Sequence, residues 1–343
     1  MTETKLRKGW TTGACAAAAV KAAYAGLWSG AFPDPVTIRL PGGETPSFAL
    51  SRQNLLPGRA VAGVIKDAGD DPDVTHGAEI VAVVEEAAPG SGLIFRAGEG
   101  VGMVTLPGLP IAVGEPAINP GPRRQIAENL GGSDAVVTLS IPGGAQLAAK
   151  TLNSRLGILG GLSILGTTGI VRPYSCSAWV HSIHRGVDVA RALGLDHVVA
   201  CTGKTSEATA RQVLGVSDQA LIDMGDMAGA VLKYLRRAPV ARLTLVGGFG
   251  KLAKLAAGQL DLHSNASQVD LAFLAGLVEE LGGKVPTGAA VSAAQMLSLA
   301  GELPLGDLVA RRAREVALAV LSGGTEVSVL AIDRAGNVVG KSD

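Results

Sequence analysis

HVVACTGKTSEATARQVL, residues 197–214, decides the fold of the second half of this chain. A β-rich run (197–201) stops at the turn Thr202-Gly203-Lys204-Thr205, and helical sequence follows over 206–214. The pattern continues downstream. Residues 220–223 read as the next strand, with a helix over 227–236. Residues 243–246 read as another strand, ending in Gly247-Gly248-Phe249-Gly250-Lys251 and a helix through 257. Strands alternating with helices are the signature of a parallel sheet wrapped by helices. A long helix (308–321) and a closing hairpin (327–332 with 338–339) complete the half, which predicts a Rossmann-like α/β C-terminal domain over residues 191–343.

Upstream the pattern differs. The polar opening Arg7-Lys8-Gly9-Trp10-Thr11-Thr12-Gly13 runs into an Ala-rich helix (14–25), with Thr11 or Thr12 available as its cap. Strands are expected at 36–40, 47–50, 60–66 and 135–141, and 79–86 and 92–97 read as a pair around the turn Pro89-Gly90. A short helix over 121–130 carries Pro122 in its first turn. Hairpins mixed with helices predict an α+β N-terminal domain over residues 1–190.

Composition narrows the function. The 343 residues suffice for two ordinary domains, and a hydrophobic content of 47% supports a sizeable core. With 47 glycines and only 3% aromatics, packing must be aliphatic and turns tight. A formal net charge of zero argues against a nucleic-acid binder, which would carry a basic excess. Cys15, Cys176 and Cys201 are scattered and odd in number, which suits a reducing compartment rather than a disulfide framework or zinc site. His181 and His184 lie three apart, but two histidines without a third ligand do not make a metal site, and none is expected. No segment resembles a signal peptide, and the apolar stretch 12–25 is too short for a bilayer. A cytoplasmic protein without a membrane partner is expected.

Several motifs carry chemistry. The loops Thr202–Gly203–Lys204 and Gly248–Gly250–Lys251 follow strand ends and open helices, where backbone N–H groups favour an anion and α/β sheets bind ligands. Both also read as ordinary βα turns, and neither has Walker A spacing nor GxGxxG with a following acid. Glu99, Gly100 and Gly102 form a second glycine-rich loop, able to approach a flat ligand or face a cationic sulfonium, or simply to turn. Residues 67–73 place four acids in seven positions, with His76 just beyond; they suit a general base, a cage for positive charge, a divalent cation, though without EF-hand spacing, or a plain acidic turn. Asn119-Pro120-Gly121-Pro122-Arg123-Arg124 presents two guanidinium groups at a helix start, where a bound anion would offset the unfavourable dipole, or the two form an ordinary surface pair. The run 157–169, ending in Thr167-Thr168-Gly169 and followed by Arg172, could line a wide apolar cleft, or form a buried strand with a turn.

Taken together these segments resemble one family, the CbiD cobalt-precorrin-5B C-1 methyltransferases. The matching stretches are LRKGWTTGACAAAAVKAA (6–23), KDAGDDPDVTHG (66–77), GEGVGMVTLPGLPIAVG (98–114), PAINPGPRRQI (116–126) and LGILGGLSILGTTGIVRP (156–173), with Gly250-Lys251 and His263-Ser264 extending the match. The resemblance implies that S-adenosylmethionine methylates C-1 of cobalt-precorrin-5B, giving cobalt-precorrin-6A in anaerobic cobalamin biosynthesis. It implies cobalt carried by the corrinoid substrate rather than by the protein. On this reading Lys8, Arg123, Arg124 and Arg172 hold substrate carboxylates, and Thr11, Thr12, Asn119, Thr167 and Thr168 add polar contacts. Asp67, Asp70 or His76 would accept a proton or steady charge. The methyl donor would lie near Thr202, Gly203, Lys204, Gly248, Gly250 and Lys251, or against Glu99, Gly100 and Gly102. Two other readings stay open: a nicotinamide-dependent tetrapyrrole reductase, weakened by the missing GxGxxG, and a non-catalytic corrinoid carrier. Sequence leaves the oligomeric state undecided, a homo-oligomer included.

Overall fold

The computed structural model describes residues 6–285 and 288–343. The chain divides into two compact units, Met1–Cys176 and Ser177–Asp343. The boundary thus falls earlier than the expected residue 190. Residues on both sides of 190 belong to one helix, Cys176–Ala192, whose Ile183, Val187 and Ala190 enter the core of the second unit.

The first unit is built on a five-stranded sheet of β1 (Arg52–Leu56), β2 (Arg59–Ile65), β3 (Glu79–Glu85), β4 (Leu93–Ala97) and β5 (Ala135–Ser140), in the order β1-β2-β3-β5-β4. The expected pairing of β3 with β4 is corrected here. β5 inserts between them, antiparallel to β3 and parallel to β4, so the Pro89-Gly90 turn joins strands that are not neighbours. Helix α1 (Thr12–Ser29) packs on the sheet. Alanine has the highest intrinsic helix propensity, and its small side chain lets the helix lie close. Ala14 and Ala16 to Ala19 are 0–1% exposed. The facing strands answer with Ala60, Ala62, Ala82 and Ala135, all fully buried. Thr11 caps α1 by accepting the Ala14 N–H at 3.2 Å, and Gly30 ends it in the left-handed conformation. Helix α2 (Pro120–Leu130) follows Asn119.

The second unit holds β6 (His197–Cys201), β7 (Leu221–Asp223), β8 (Arg242–Gly248), β9 (Glu326–Ile332) and β10 (Val338–Ser342) in the order β7-β6-β8-β9-β10. The first four are parallel and β10 closes antiparallel, as the predicted hairpin required. Side chains alternate along β6. Val198 and Ala200 join the large core under α3 (Cys176–Ala192), α5 (Ala228–Leu235), α6 (Phe249–Ala256) and the long helix Leu305–Leu321, while Val199 and Cys201 face Ala210 of α4 (Lys204–Leu214). Both faces are covered, as the apolar runs of a buried parallel sheet demand. The order is 2-1-3-4-5, not the 3-2-1-4-5-6 of dinucleotide-binding folds. The Rossmann-like expectation therefore holds for the alternation of strands and helices but not for that strand order. Among the described residues no helix is long and apolar enough to cross a membrane.

Candidate active site

Four segments of the first unit meet through backbone hydrogen bonds. Trp10 N–H donates to Asp67 O (2.7 Å) and Asp70 N–H to Arg7 O (3.0 Å). Thr11 N–H donates to Gly169 O (3.0 Å) and Asn119 N–H to Ile164 O (3.0 Å). Gln125 Nε2 reaches Gly166 O at 2.7 Å. The starts of α1 and α2, loop 67–76 and loop 165–172 therefore form one patch.

Within it, several polar side chains expected to meet substrate are engaged by the protein itself. Thr11 caps α1, and Thr12 Oγ1 lies 3.0 Å from both the N and the O of Leu165. Both threonines are buried. Asn119 Nδ2 donates to Ile164 O at 3.2 Å. Arg123 Nε donates to Ile118 O (2.9 Å), its guanidinium pairs with Glu115 (3.1 Å), and it sits over the Phe95 ring at 5.1 Å. These groups shape the patch rather than line it. A one-dimensional motif shows the residue type, not which way it is committed.

Lys8, Arg124, Thr167, Thr168 and Arg172 are exposed. Thr168 Oγ1 accepts the Ile170 N–H at 3.2 Å. Strand pairing sets Gly9 opposite Val171, and Lys8 and Arg172 are their chain neighbours at the end of this short pairing. Exposed cations on this rim can each hold a carboxylate, the guanidinium by two parallel hydrogen bonds.

Asp67, Asp70 and His76 are also engaged. Asp67 forms a two-pronged ion pair with Arg7, and the Arg7 N–H donates to Asp70 Oδ2 at 2.6 Å. The Arg7 guanidinium, helped by the Gly69 N–H, holds the Asp67 carboxyl at about 2. So low a value makes a poor proton acceptor near neutral pH. His76 Nδ1 takes the Ala68 N–H at 3.1 Å, which leaves Nε2 carrying the hydrogen in the neutral ring. The loop is thus a clasp on the N-terminal segment. Beneath it Lys66, 1% exposed, pairs with Asp73 at 2.7 Å. Burial alone would raise the Asp73 carboxyl, but hydrogen bonds from Lys66 and Thr75 outweigh it and lower the value.

Both carboxyls are depressed in the folded state, so their stabilisation is complete above the unfolded carboxylate value, about 4, and fades as pH falls toward 2. The midpoint of thermal unfolding is expected to fall over that window. Asp67→Asn should flatten the fall; a profile identical to the parent would remove the clasp from the account.

The glycine-rich loop at 98–102 is corrected as a donor cradle. Gly100 and Gly102 are buried among the chain's own backbone. A Cβ on Gly100 would stand 2.0 Å from Ile141 O, and one on Gly102 would stand 2.9 Å from Gly161 O. Glu99 turns toward the Gly143 N–H at 3.3 Å. The glycines are demanded by packing, which leaves no space over their α-carbons.

The second unit behaves differently. β6 and β8 are adjacent, α4 leaves β6 on one face and α6 leaves β8 on the other, so the strand order reverses between them. Open α/β sheets bind ligands outside the carboxyl ends of the strands at such a point. The two loops there are tied together. Lys251 Nζ donates to Thr202 O at 3.1 Å and pairs with Asp226 at 3.0 Å. Gly203 has φ 154° and ψ −175°, which only glycine adopts without strain. A Cβ on Gly203 or Gly248 would meet nothing within 4 Å. The same two positions open α4 and α6, whose first N–H groups receive no side-chain cap. Lys204 is exposed and Gly250 half-buried beside this opening. Asp223, which sequence reading passed over, ends β7 level with Cys201. Its distance from Gly203, 20 residues, was the available signal.

The sequence model of the CbiD family matches residues 1–173, and that of the CbiD C-terminal domain matches residues 261–343. The chain is 56% identical to the cobalt-precorrin-5B C(1)-methyltransferase of Paramagnetospirillum magneticum, over 98% of each chain. It is 54% identical to that of Brucella anthropi, over 98% of this chain and 96% of the relative. It is 56% identical to that of Rhodospirillum rubrum, over 98% and 97%. A solved structure, the cobalamin biosynthesis protein cbiD from Archaeoglobus fulgidus, is 31% identical, with a TM-score of 0.41 over 75% of this chain and 82% of that one.

Proposed function

The chain belongs to the CbiD family, and from that premise we propose that it is a methyltransferase of cobalamin biosynthesis that methylates C-1 of cobalt-precorrin-5B. The observation that carries this is identity of 53–56% along essentially the whole length of relatives with that name. Neither the reductase nor the carrier reading is favoured beside it. The substrate is a small corrinoid molecule.

We take S-adenosylmethionine as the methyl donor and cobalt-precorrin-6A as the product, formed in the cytoplasm. When bound, the donor supplies a methyl group on a positively charged sulfur, which a ring carbon can attack directly. No protein nucleophile is then required, and the residues' task is binding and orientation. In the first unit Lys8, Arg124 and Arg172 suit the acetate and propionate carboxylates of the substrate, with Thr167 at the same rim. Arg7, gripped by Asp67 and Asp70, fixes its neighbour Lys8. In the second unit the open α-carbons of Gly203 and Gly248 leave room for a nucleoside against the backbone. Lys204 and the uncapped N–H groups there suit the donor's carboxylate. Lys251 locks the two loops by its bond to Thr202 and its pair with Asp226.

The test is direct. Under anoxic conditions, with cobalt-precorrin-5B and donor labelled in its methyl group, one label should enter the corrinoid for each S-adenosylhomocysteine released. Release without labelling, or no release, would end the assignment.

A further inference from the structure

The geometry points to Asp223 as the residue that recognises the ribose of the methyl donor, in a nucleoside subsite made by β6, α4 and β7. This rests on the reading that the donor binds the second unit. It goes further by naming which part of the donor is read, and by what.

Three observations lead there. First, β6, α4 and β7 form one βαβ unit, with Cys201 and Asp223 paired in register, so Asp223 ends its strand beside the turn at Gly203. In dinucleotide-binding folds, which differ in overall strand order but share this local βαβ connection, an acid some 20 residues past the glycine turn hydrogen-bonds the ribose 2′-hydroxyl. The spacing from Gly203 to Asp223 is 20 residues. Second, the alternation of β7 settles its side. Ile222 joins the core under α3 and α5, while Leu221 joins the cluster on the α4 side, so Asp223 lies on the face of α4, whose first turn opens at Gly203. Third, the strand end is held in place. Trp179 Nε1 donates to Asp223 O at 3.0 Å, and its ring lies where a Cβ on Gly225 would come within 3.0 Å.

The turn at β6 carries one glycine rather than three. In dinucleotide folds the second glycine admits the pyrophosphate to the backbone, and Thr205 stands at that place here. A turn without that glycine suits a ligand whose nucleoside bears no phosphates, as in S-adenosylmethionine. A carboxylate has about four acceptor sites, so Asp223 can take two ribose hydroxyls alongside contacts with the protein.

The experiment uses the full chain and calorimetry with two probes, S-adenosylhomocysteine and its 2′-deoxy analogue. The parent should prefer the ribo form by about 10–100-fold, the range of a hydrogen bond to a charged group. In Asp223→Ala that preference should collapse to about 2-fold or less, because the 2′-hydroxyl loses its acceptor. Asp223→Asn, isosteric and neutral, should fall between and guards against loss of the strand end. A melting profile like the parent's shows that each variant is folded. If both variants keep the parent's preference, the inference is overturned while donor binding stands. If the parent binds neither probe, the donor reading itself fails and takes the inference with it.

Discussion

Gly100→Ala is expected to destabilise the first unit by about 2–5 kcal/mol. Two costs add. Gly100 has φ +70°, where a Cβ costs about 1–2 kcal/mol against the following carbonyl. The added methyl would also stand 2.0 Å from Ile141 O and under 3 Å from the Gly144 backbone. Neither neighbour is a flexible side-chain tip, so the backbone after β5 must shift, at about 1–3 kcal/mol. Gly58→Ala isolates the first cost. Gly58 has φ +72° in the β1–β2 turn, but a Cβ there meets nothing within 4 Å. It should cost about 1–2 kcal/mol only. Equal losses in the two variants, read by denaturant unfolding, would show that loop 98–102 is not the packing junction described here.

Asp73→Ala is expected to cost about 2–4 kcal/mol, while Lys66→Met should lie within about 1.5 kcal/mol of the parent. Removing one partner of a buried ion pair leaves the other charge without compensation, typically at about 3–5 kcal/mol. The range is reduced because the Asp73 side chain is 25% exposed, whereas that of Lys66 is 1% exposed. Replacing the ammonium by an apolar chain of similar length removes the charge that needs compensation. It leaves Asp73 able to reach water while keeping its bonds from Thr75 N–H and Oγ1 at 2.8 and 2.6 Å. The double variant should therefore be more stable than Asp73→Ala alone. Additive losses would contradict the pairing as the source of the effect.

These variants mark what could be read from the sequence. The Ala-rich helix α1 was legible because propensity and burial point the same way. The second-unit sheet was legible because turn glycines punctuate apolar runs of strand length. The neighbour relation of β3 and β4 was not, because β5 comes from about 40 residues downstream and local patterning says nothing about such a pairing. The site divides in the same manner. Glycines 203 and 248 were correctly singled out as turns, but Gly100 and Gly102 looked alike in sequence and differ in what lies above them. Arg123 could not be told from Arg124 without knowing that Phe95 and Glu115 lie beside one of them. Asp223 gains its meaning from the register of β6 and β7, which emerges only once the strands pair.

On this proposal the second unit receives the methyl donor where its strand order reverses. A crystal structure of the full chain with S-adenosylhomocysteine tests it most directly. The adenosine should lie over Gly203 and Gly248, beyond the ends of β6 and β8, with its ribose at Asp223. Ligand density anywhere in the first unit, with the loops at 202–204 and 247–251 empty, would contradict it.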